Sequence, residues 1–366
     1  MKSLNGNSIF TYKSGYKRVK QSIIPMKIKS SIHITIVALS VLLLSCDKNS
    51  YQENQGTIFN TVYHIKYSYN RSLQQEIEEE LHRFDLSLNP FNKNSVIYKI
   101  NENKPVEPDS FFTVVFNKAV EVSKNSGGKF DITISPLINA WGFGFKNMDK
   151  ITPEIIDSLK SFVGYDKIWI DTAGKIRKSD KRVQVNASAI AKGYAVDVIA
   201  NLLKGYDIEN YMVEIGGEIA AKGKNNKGEC WHIGIEKPMD DASGMQHQLE
   251  TVIAICDRAM ATSGNYRNYY VKDGKKYAHT IDPQSGYPLQ QDILGATVIA
   301  DDCMTADAYA TAFMALGTEK SKELAKKIPN LYYYFIYTKS DGSVDTTYSD
   351  GFEQFFTDKL DILSAS

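Results

Sequence analysis

The sequence predicts an α+β fold of antiparallel sheets flanked by helices. Three observations lead there. Alternating segments such as TVYHIKYSY, residues 61–69, read as half-buried strands. Two segments carry tight hairpin turns, at Ala173-Gly174 and Asp273-Gly274. Between them lie stretches with apolar residues at helical spacing, among them Leu73, Ile77, Leu81, Phe84 and Leu88.

At 366 residues the chain can bury a substantial core. Lysine plus arginine equals aspartate plus glutamate at 43 each, so no global field attracts nucleic acid. The 22 tyrosines and 16 phenylalanines suit either a sheet-rich core or surfaces on which a flat aromatic ligand stacks.

In order, MKIKSSIHITIVALSVLLLSC at residues 26–46 has a short basic start, an apolar run and a cysteine after Leu44-Ser45. It is similar to a bacterial lipoprotein signal, with Cys46 as the lipidated first residue and Met26 as an alternative start. The run of about 13 apolar residues is shorter than the roughly 20 that a spanning helix needs. Residues 1–45 are therefore expected as a signal region, 46–55 as a polar lipidated tether and 56–362 as the folded domain. Of the other cysteines, Cys230, Cys256 and Cys303, at most one pair can bond, and buried thiols are the expectation.

Residues 73–88 and 111–128 read as helices, the second stopped by Gly127-Gly128, with a loop and a short helical turn between them. KFDITISPLINAWGFG, residues 129–144, holds a short strand, a Pro136 that opens a helix, and the aromatics Trp141 and Phe143, which with Phe145 form either core or the wall of a ligand slot. Residues 166–179 form a hairpin. A strand at RVQV, residues 182–185, a turn at Asn186 and a helix from Ala189 then lead into the strand YMVEI and Gly216-Gly217, as a βαβ arrangement. Lys192 falls in the first turns of that helix, where an ammonium and backbone N–H groups either receive phosphate or solvate the helix end.

Residues 268–282 form a second hairpin that carries His279 into a turn built from Asp282, Pro283, Gly286 and Pro288. A strand histidine there either packs or takes part in chemistry. A strand, an acidic turn and a helix capped by Thr305 and closed by Gly317 follow. On that helix Asp307 and Thr311 share a face as hard oxygen donors suited to Mg²⁺, or else serve the helix dipole and the packing.

Together FDITISPLINAWGFG, NASAIAKGYAVD, VEIGGEI, ATSGNYRNYY, HTIDPQSGYP and TADAYATAF, in this order, resemble the bacterial FAD:protein FMN transferase family, lipoproteins once described as thiamine-biosynthesis proteins. The resemblance spans about residues 55 to 355. It implies a flavin transferase (T-fold-like) architecture and an enzyme that cuts the pyrophosphate of FAD and attaches FMN through a phosphoester to a threonine hydroxyl of a membrane flavoprotein, releasing AMP. It implies that Asp307, Thr311 and the carbonyl of Ala189 hold Mg²⁺. It also places Phe59, Asn89, Phe130, Asp131, Ile132, Asn186, Lys192 and Ile281 against FAD, with the GGEI segment near the flavin.

On the same resemblance His279 orients or deprotonates the threonine or holds a phosphate oxygen, and Asp282 fixes the turn that presents it. Two departures stand out: Asn186 replaces the aspartate of many relatives, and Phe59-Asn60-Thr61 replaces Met-Gly-Thr. The same site with water as acceptor would make an FAD pyrophosphatase, and without chemistry a flavin-binding lipoprotein. Asp47 after the lipidated cysteine resembles an inner-membrane retention signal, which implies anchoring at the periplasmic face of the inner membrane.

Overall fold

The computed structural model describes residues 50–142, 151–237, 249–264, 269–272, 275–278, 280–289 and 291–357. The chain divides into Met1–Lys48 and Asn49–Ser366, and every described residue lies in the second unit. Cys46, Phe143, Phe145, the turn at Asp273-Gly274 and His279 lie outside the described residues.

The alternating N-terminal segment forms a hairpin of β1 (Tyr51–Ile58) and β2 (Thr61–Ser68), paired antiparallel from Tyr51↔Ser68 to Ile58↔Thr61. From Tyr51 on, the expected tether is therefore strand. A polar sequence suffices because β1 is an edge strand, held by backbone bonds to β2 and burying little beyond Asn54. Tyr67 donates to Asn54 Oδ1 at 2.5 Å.

An eight-stranded sheet then runs in the order β1-β2-β5-β6-β9-β12-β13-β14, with β5 at Tyr211–Ile215, β6 at Glu218–Lys222, β9 at Arg258–Gly264, β12 at Ile293–Ala300, β13 at Tyr332–Thr338 and β14 at Val344–Tyr348. Every neighbouring pair is antiparallel. Two-stranded pairs are formed by β3 (Ile168–Ile170) with β4 (Ile176–Lys178), β7 (Trp231–Glu236) with β8 (Leu249–Ile255), and β10 (Tyr269–Lys272) with β11 (Lys275–Ala278).

The main helices are α1 (Gln74–Leu88), α2 (Val96–Asn101), α3 (Ser110–Asn125), α4 (Ser135–Ala140), α5 (Pro153–Lys160), α6 (Ala191–Gly205), α7 (Cys303–Leu316) and α8 (Thr318–Ala325). The α+β class with antiparallel sheets is as the sequence predicts.

The two-residue period of the strands divides the core. Ala261, Val298 and Phe335 face the helices, together with Leu73, Ile77, Leu81, Phe84 and Leu88 of the predicted stripe. Their neighbours Met260, Ile299, Tyr334 and Ile336 point the other way, onto Trp231, Ile233, Ile253 and Ile255 of the β7–β8 hairpin and onto Phe352 and Phe355. Covered on both faces, β12 reads as a nearly continuous apolar run.

Four local expectations are corrected. Residues 182–185 form no strand: the Asn101 side chain donates to Val185 O and accepts from Val185 N, both at 2.8 Å, as a neighbouring strand would. Nor do residues 129–132; Ile132 O instead accepts from Asn186 N at 2.7 Å, so the expected βαβ unit lacks its first strand. Helix α6 starts at Ala191, two residues late, because a tight turn returns Ile190 N and Ala191 N to Ala187 O. The cap of α7 is Asp302, whose carboxylate accepts from Thr305 N at 2.7 Å.

The cysteines also differ from expectation. Cys230 and Cys256 form a disulfide, because they flank the Trp231↔Ile255 rung of β7–β8 with Cα atoms 5.1 Å apart. Among the described residues Cys303 is the free thiol, and it is buried.

Candidate functional site

Two helices cross at the centre of the site. A Cβ on Gly193 would lie 2.3 Å from Cys303 O and 2.7 Å from Asp307 Cβ, so the glycine is what lets α6 close on α7. The contact carries its own bonds. Gly193 N donates to Asp307 Oδ2 at 2.9 Å, and one turn on, Asp197 accepts from Cys303 N and Met304 N at 2.8 Å each. Helix α7 is buried on nearly every side, where an aspartate is costly to place, so Asp307 there points to chemistry rather than to solvation of a helix end.

Lys192, the neighbour of Gly193, reaches Glu218 on β6, with Nζ 2.5 Å from Oε1. Glu218 is 3% exposed and its Oε2 has no hydrogen-bond partner among the described residues. Burial, then the nearby Asp307 charge, pushes the Glu218 carboxyl up to about 8. Burial also raises Asp307, against the pull of Lys192 and the Gly193 N–H. Burial works against the Lys192 ammonium, but Glu218 and Asp307 outweigh it and keep its pKa above the usual lysine value.

These groups line a cavity of about 440 Å³ with Phe130, Asp131, Ile132, Asn186, Ala189, Thr262, Ile281 and Thr311. Among the described residues no group of three or more His, Cys, Asp or Glu stands where it could hold a metal ion. The oxygen-bearing side chains that line it include the buried Asp307 carboxylate, the Thr311 hydroxyl and Glu218, with its orphaned oxygen. That set, with more negative than positive charge, fits a hard divalent cation.

A second cavity, of about 600 Å³, shares Ile138, Asn186, Ser188 and Lys192 with the first. Its far wall is aromatic and apolar: Phe59, Phe84, Leu88, Pro90 and Phe91, together with Asn89. Phe59 and Asn60 form the β1–β2 turn with φ of 52° and 59°, which turns the Phe59 ring onto Phe84 at 5.4 Å. Asn89 shapes the rim, its side chain bonded to Asp85 and to Phe91 N. One charged chamber and one chamber with an aromatic wall, sharing Asn186 and Lys192, suit a ligand with a diphosphate and aromatic rings.

The structure therefore gathers Phe59, Asn89, Phe130, Asp131, Ile132, Asn186, Ala189, Lys192, Ile281, Asp307 and Thr311 around the two chambers. Asp131 stands in the wall, but its carboxylate is occupied. Oδ1 accepts from Thr133 N and Oγ1 at 2.7 Å, and Oδ2 accepts from Tyr165 N at 2.8 Å. Burial raises its pKa despite these donors.

Asp282 is not among the residues lining either chamber. Its carboxylate pairs with Lys129 at 2.9 Å and accepts from Gln284 N. Burial raises the Asp282 pKa, but these partners outweigh it and hold it below the usual range. Asp282 thus fixes the turn, while Thr280 and Ile281 just before it face the charged chamber. Trp141 supports the same turn, donating to Gly286 O at 2.8 Å, so it is scaffold rather than slot wall.

Sequence reasoning placed the GGEI segment near the flavin without giving Glu218 a role of its own, and it did not single out Phe84. For Glu218 a signal existed: a carboxylate opening the otherwise apolar run EIAA after two glycines. Phe84 carried none, since it also belongs to the core stripe of α1.

Comparison with known proteins follows the same lines. A family model described as the ApbE family matches residues 59–335. The chain is 38% identical to the FAD:protein FMN transferase of Haemophilus influenzae, over 85% of this chain and 94% of that protein. It is 35% identical to the protein of the same name from Vibrio cholerae, over 88% and 98%. Among solved structures it resembles the flavin transferase ApbE from Vibrio cholerae, with TM-score 0.74 and 32% identity over 84% of this chain and 99% of that one. The apo Pseudomonas stutzeri flavinyl transferase ApbE superposes with TM-score 0.73 at 30% identity, over 84% and 97%. With the family model spanning most of the fold and both chambers in place, the chain belongs to the ApbE family.

Proposed function

We propose that this chain is an FAD:protein FMN transferase that moves FMN from FAD to a threonine hydroxyl of a membrane flavoprotein, in a Mg²⁺-dependent reaction. The threonine oxygen attacks the phosphorus of the FMN half. A new P–O bond forms, the bond to the AMP phosphate breaks, the hydroxyl proton leaves to a base, and AMP departs with the electron pair. The observation that carries the reading is the pair of joined chambers, one charged and one aromatic, meeting at Asn186 and Lys192.

The chain's own residues divide the work. Lys192 places a cation where the diphosphate crosses from one chamber to the other, and Phe59, backed by the buried Phe84, offers a ring face for stacking. Asp307, Thr311 and the Ala189 carbonyl would hold Mg²⁺, which supplies charge neutralisation to the phosphoryl oxygens. His279 would orient or deprotonate the threonine, and Asp282 would hold the turn behind it.

Anchoring through Cys46 at the periplasmic face of the inner membrane belongs to the same proposal. The Cys230–Cys256 disulfide supports it, since such bonds persist in oxidising compartments. The experiment incubates the folded domain with FAD, Mg²⁺ and a candidate flavoprotein subunit, then looks for covalent flavin in a denaturing gel. Labelling is expected from the wild type, and Asp307→Ala should abolish it. His279→Ala should slow it by about 10² to 10⁴-fold. AMP and free FMN formed at equal rates with every acceptor absent or present would make the protein an FAD pyrophosphatase instead.

A further inference from the structure

Glu218 has no assigned role in the transfer, yet its surroundings are built. It opens β6, is 3% exposed, and lines the charged chamber beside Ala189, Asp307 and Thr311. One oxygen is bound by Lys192 at 2.5 Å, and the other, buried, has no partner among the described residues. A carboxylate oxygen kept from water without a donor is unfavourable unless something positive comes to it. Lys192 does not remove the imbalance, because one ammonium faces two carboxylates, Glu218 and Asp307. Ionised, the three carry a net charge of −1 inside the protein.

We propose that Glu218 is a second carboxylate of the divalent-cation site, its free Oε2 turned to the ion that Asp307 and Thr311 hold. The inference rests on the cation reading of those two residues. With both carboxylates ionised, a divalent cation changes the cluster from −1 to +1, a charge that favours a diphosphate. Lys192 then has two tasks: its bond to Oε1 orients the Glu218 carboxyl, and its charge keeps the pair of carboxylates together before the ion arrives. The consequence is ordered loading, with the cation binding the nucleotide-free protein and the nucleotide following.

The test uses the folded, nucleotide-free protein and Mg²⁺ alone, by titration calorimetry and by melting temperature with and without the ion. Wild type should bind Mg²⁺ and melt higher in its presence. Glu218→Gln, which keeps the shape and removes the charge, should melt no lower than wild type in chelator. It should bind Mg²⁺ at least about 10-fold more weakly and lose the Mg²⁺-induced rise. Glu218→Asp, which keeps the charge, should retain part of that rise.

Wild-type Mg²⁺ affinity in Glu218→Gln, or no Mg²⁺ binding by the nucleotide-free wild type, overturns the proposal. So does loss of FAD affinity in Glu218→Gln with Mg²⁺ binding intact, which would make Oε2 an acceptor for a sugar hydroxyl. FMN transfer by the wild type is scored separately. Transfer with a Glu218→Gln variant that binds Mg²⁺ normally defeats this inference alone, whereas Glu218-dependent Mg²⁺ binding without transfer defeats the activity.

Discussion

Gly193 decides at one atom whether the site exists. With the α7 backbone 2.3 Å from where its Cβ would stand, Gly193→Ala forces α6 and α7 apart. It also stretches the bond from Gly193 N to Asp307. The expected cost is about 1–3 kcal/mol of stability, the usual range for overpacking, with a weaker Mg²⁺ response; urea unfolding with and without Mg²⁺ measures both. Unchanged stability would mean that the helices can slide apart freely.

Phe59 is the converse case. Its positive φ is a conformation a phenylalanine rarely adopts, and the turn is tolerable because Asn60, in the position of the family's glycine, accepts the left-handed region. The motif Phe59-Asn60-Thr61 marked the departure in sequence. That the departure puts a ring against Phe84 is visible only once α1 is packed beneath the turn.

At the scale of elements, Asp197 clamps α6 to the N-terminus of α7 through two backbone N–H groups. Burial raises its pKa to about 7, and the carboxylates of Asp302 and Asp307 add to that against the two N–H donors. An unfolded aspartate loses its proton near 3.8, whereas the folded one keeps it to about 7. Between those values the native state binds the extra proton, so stability falls as pH rises across the window, by about 4 kcal/mol in total. Asp197→Asn should remove this part of the slope in unfolding curves between pH 4 and pH 7, roughly the two ends of the window. An unchanged slope would assign it to other groups.

The helices show why some elements are readable and others not. The stripe of α1 and the Gly127-Gly128 stop of α3 are local, set by spacing and backbone freedom, and they appear where expected. Residues 182–185 have strand-like composition, but their partner is the amide of Asn101, 84 positions away. No local pattern announces that a side chain will take the place of a strand.

For the molecule as a whole, the β7–β8 hairpin with Phe352 and Phe355 covers the sheet face opposite the helices, and the Cys230–Cys256 bond ties its base. The cysteines are 26 residues apart, and a closed loop of that length contributes about 3.5 kcal/mol through the unfolded chain. Reduction, or a Cys230→Ser/Cys256→Ser pair, should lower Tm by several degrees without abolishing FMN transfer, since the bond lies on the face away from the chambers' helices. Loss of transfer at a temperature where the variant is still folded would show that this face communicates with the site.

The sequence by itself determined the class of fold, the turns and helix stops, and most of the residues around both chambers, because motifs such as NASAIAKGYAVD and TADAYATAF carry turn, cap and ligand chemistry in one short run. Only the packed fold shows that Asp131 directs its carboxylate into the scaffold, that two cysteines meet, that polar β1 is a strand, and that Glu218 faces the chamber with one oxygen unpaired among the described residues. The physical reason is range. A turn or a cap is settled within about four residues, whereas pairing, burial and the balance of charge depend on which distant segments the packed sheet and the α6–α7 crossing bring together.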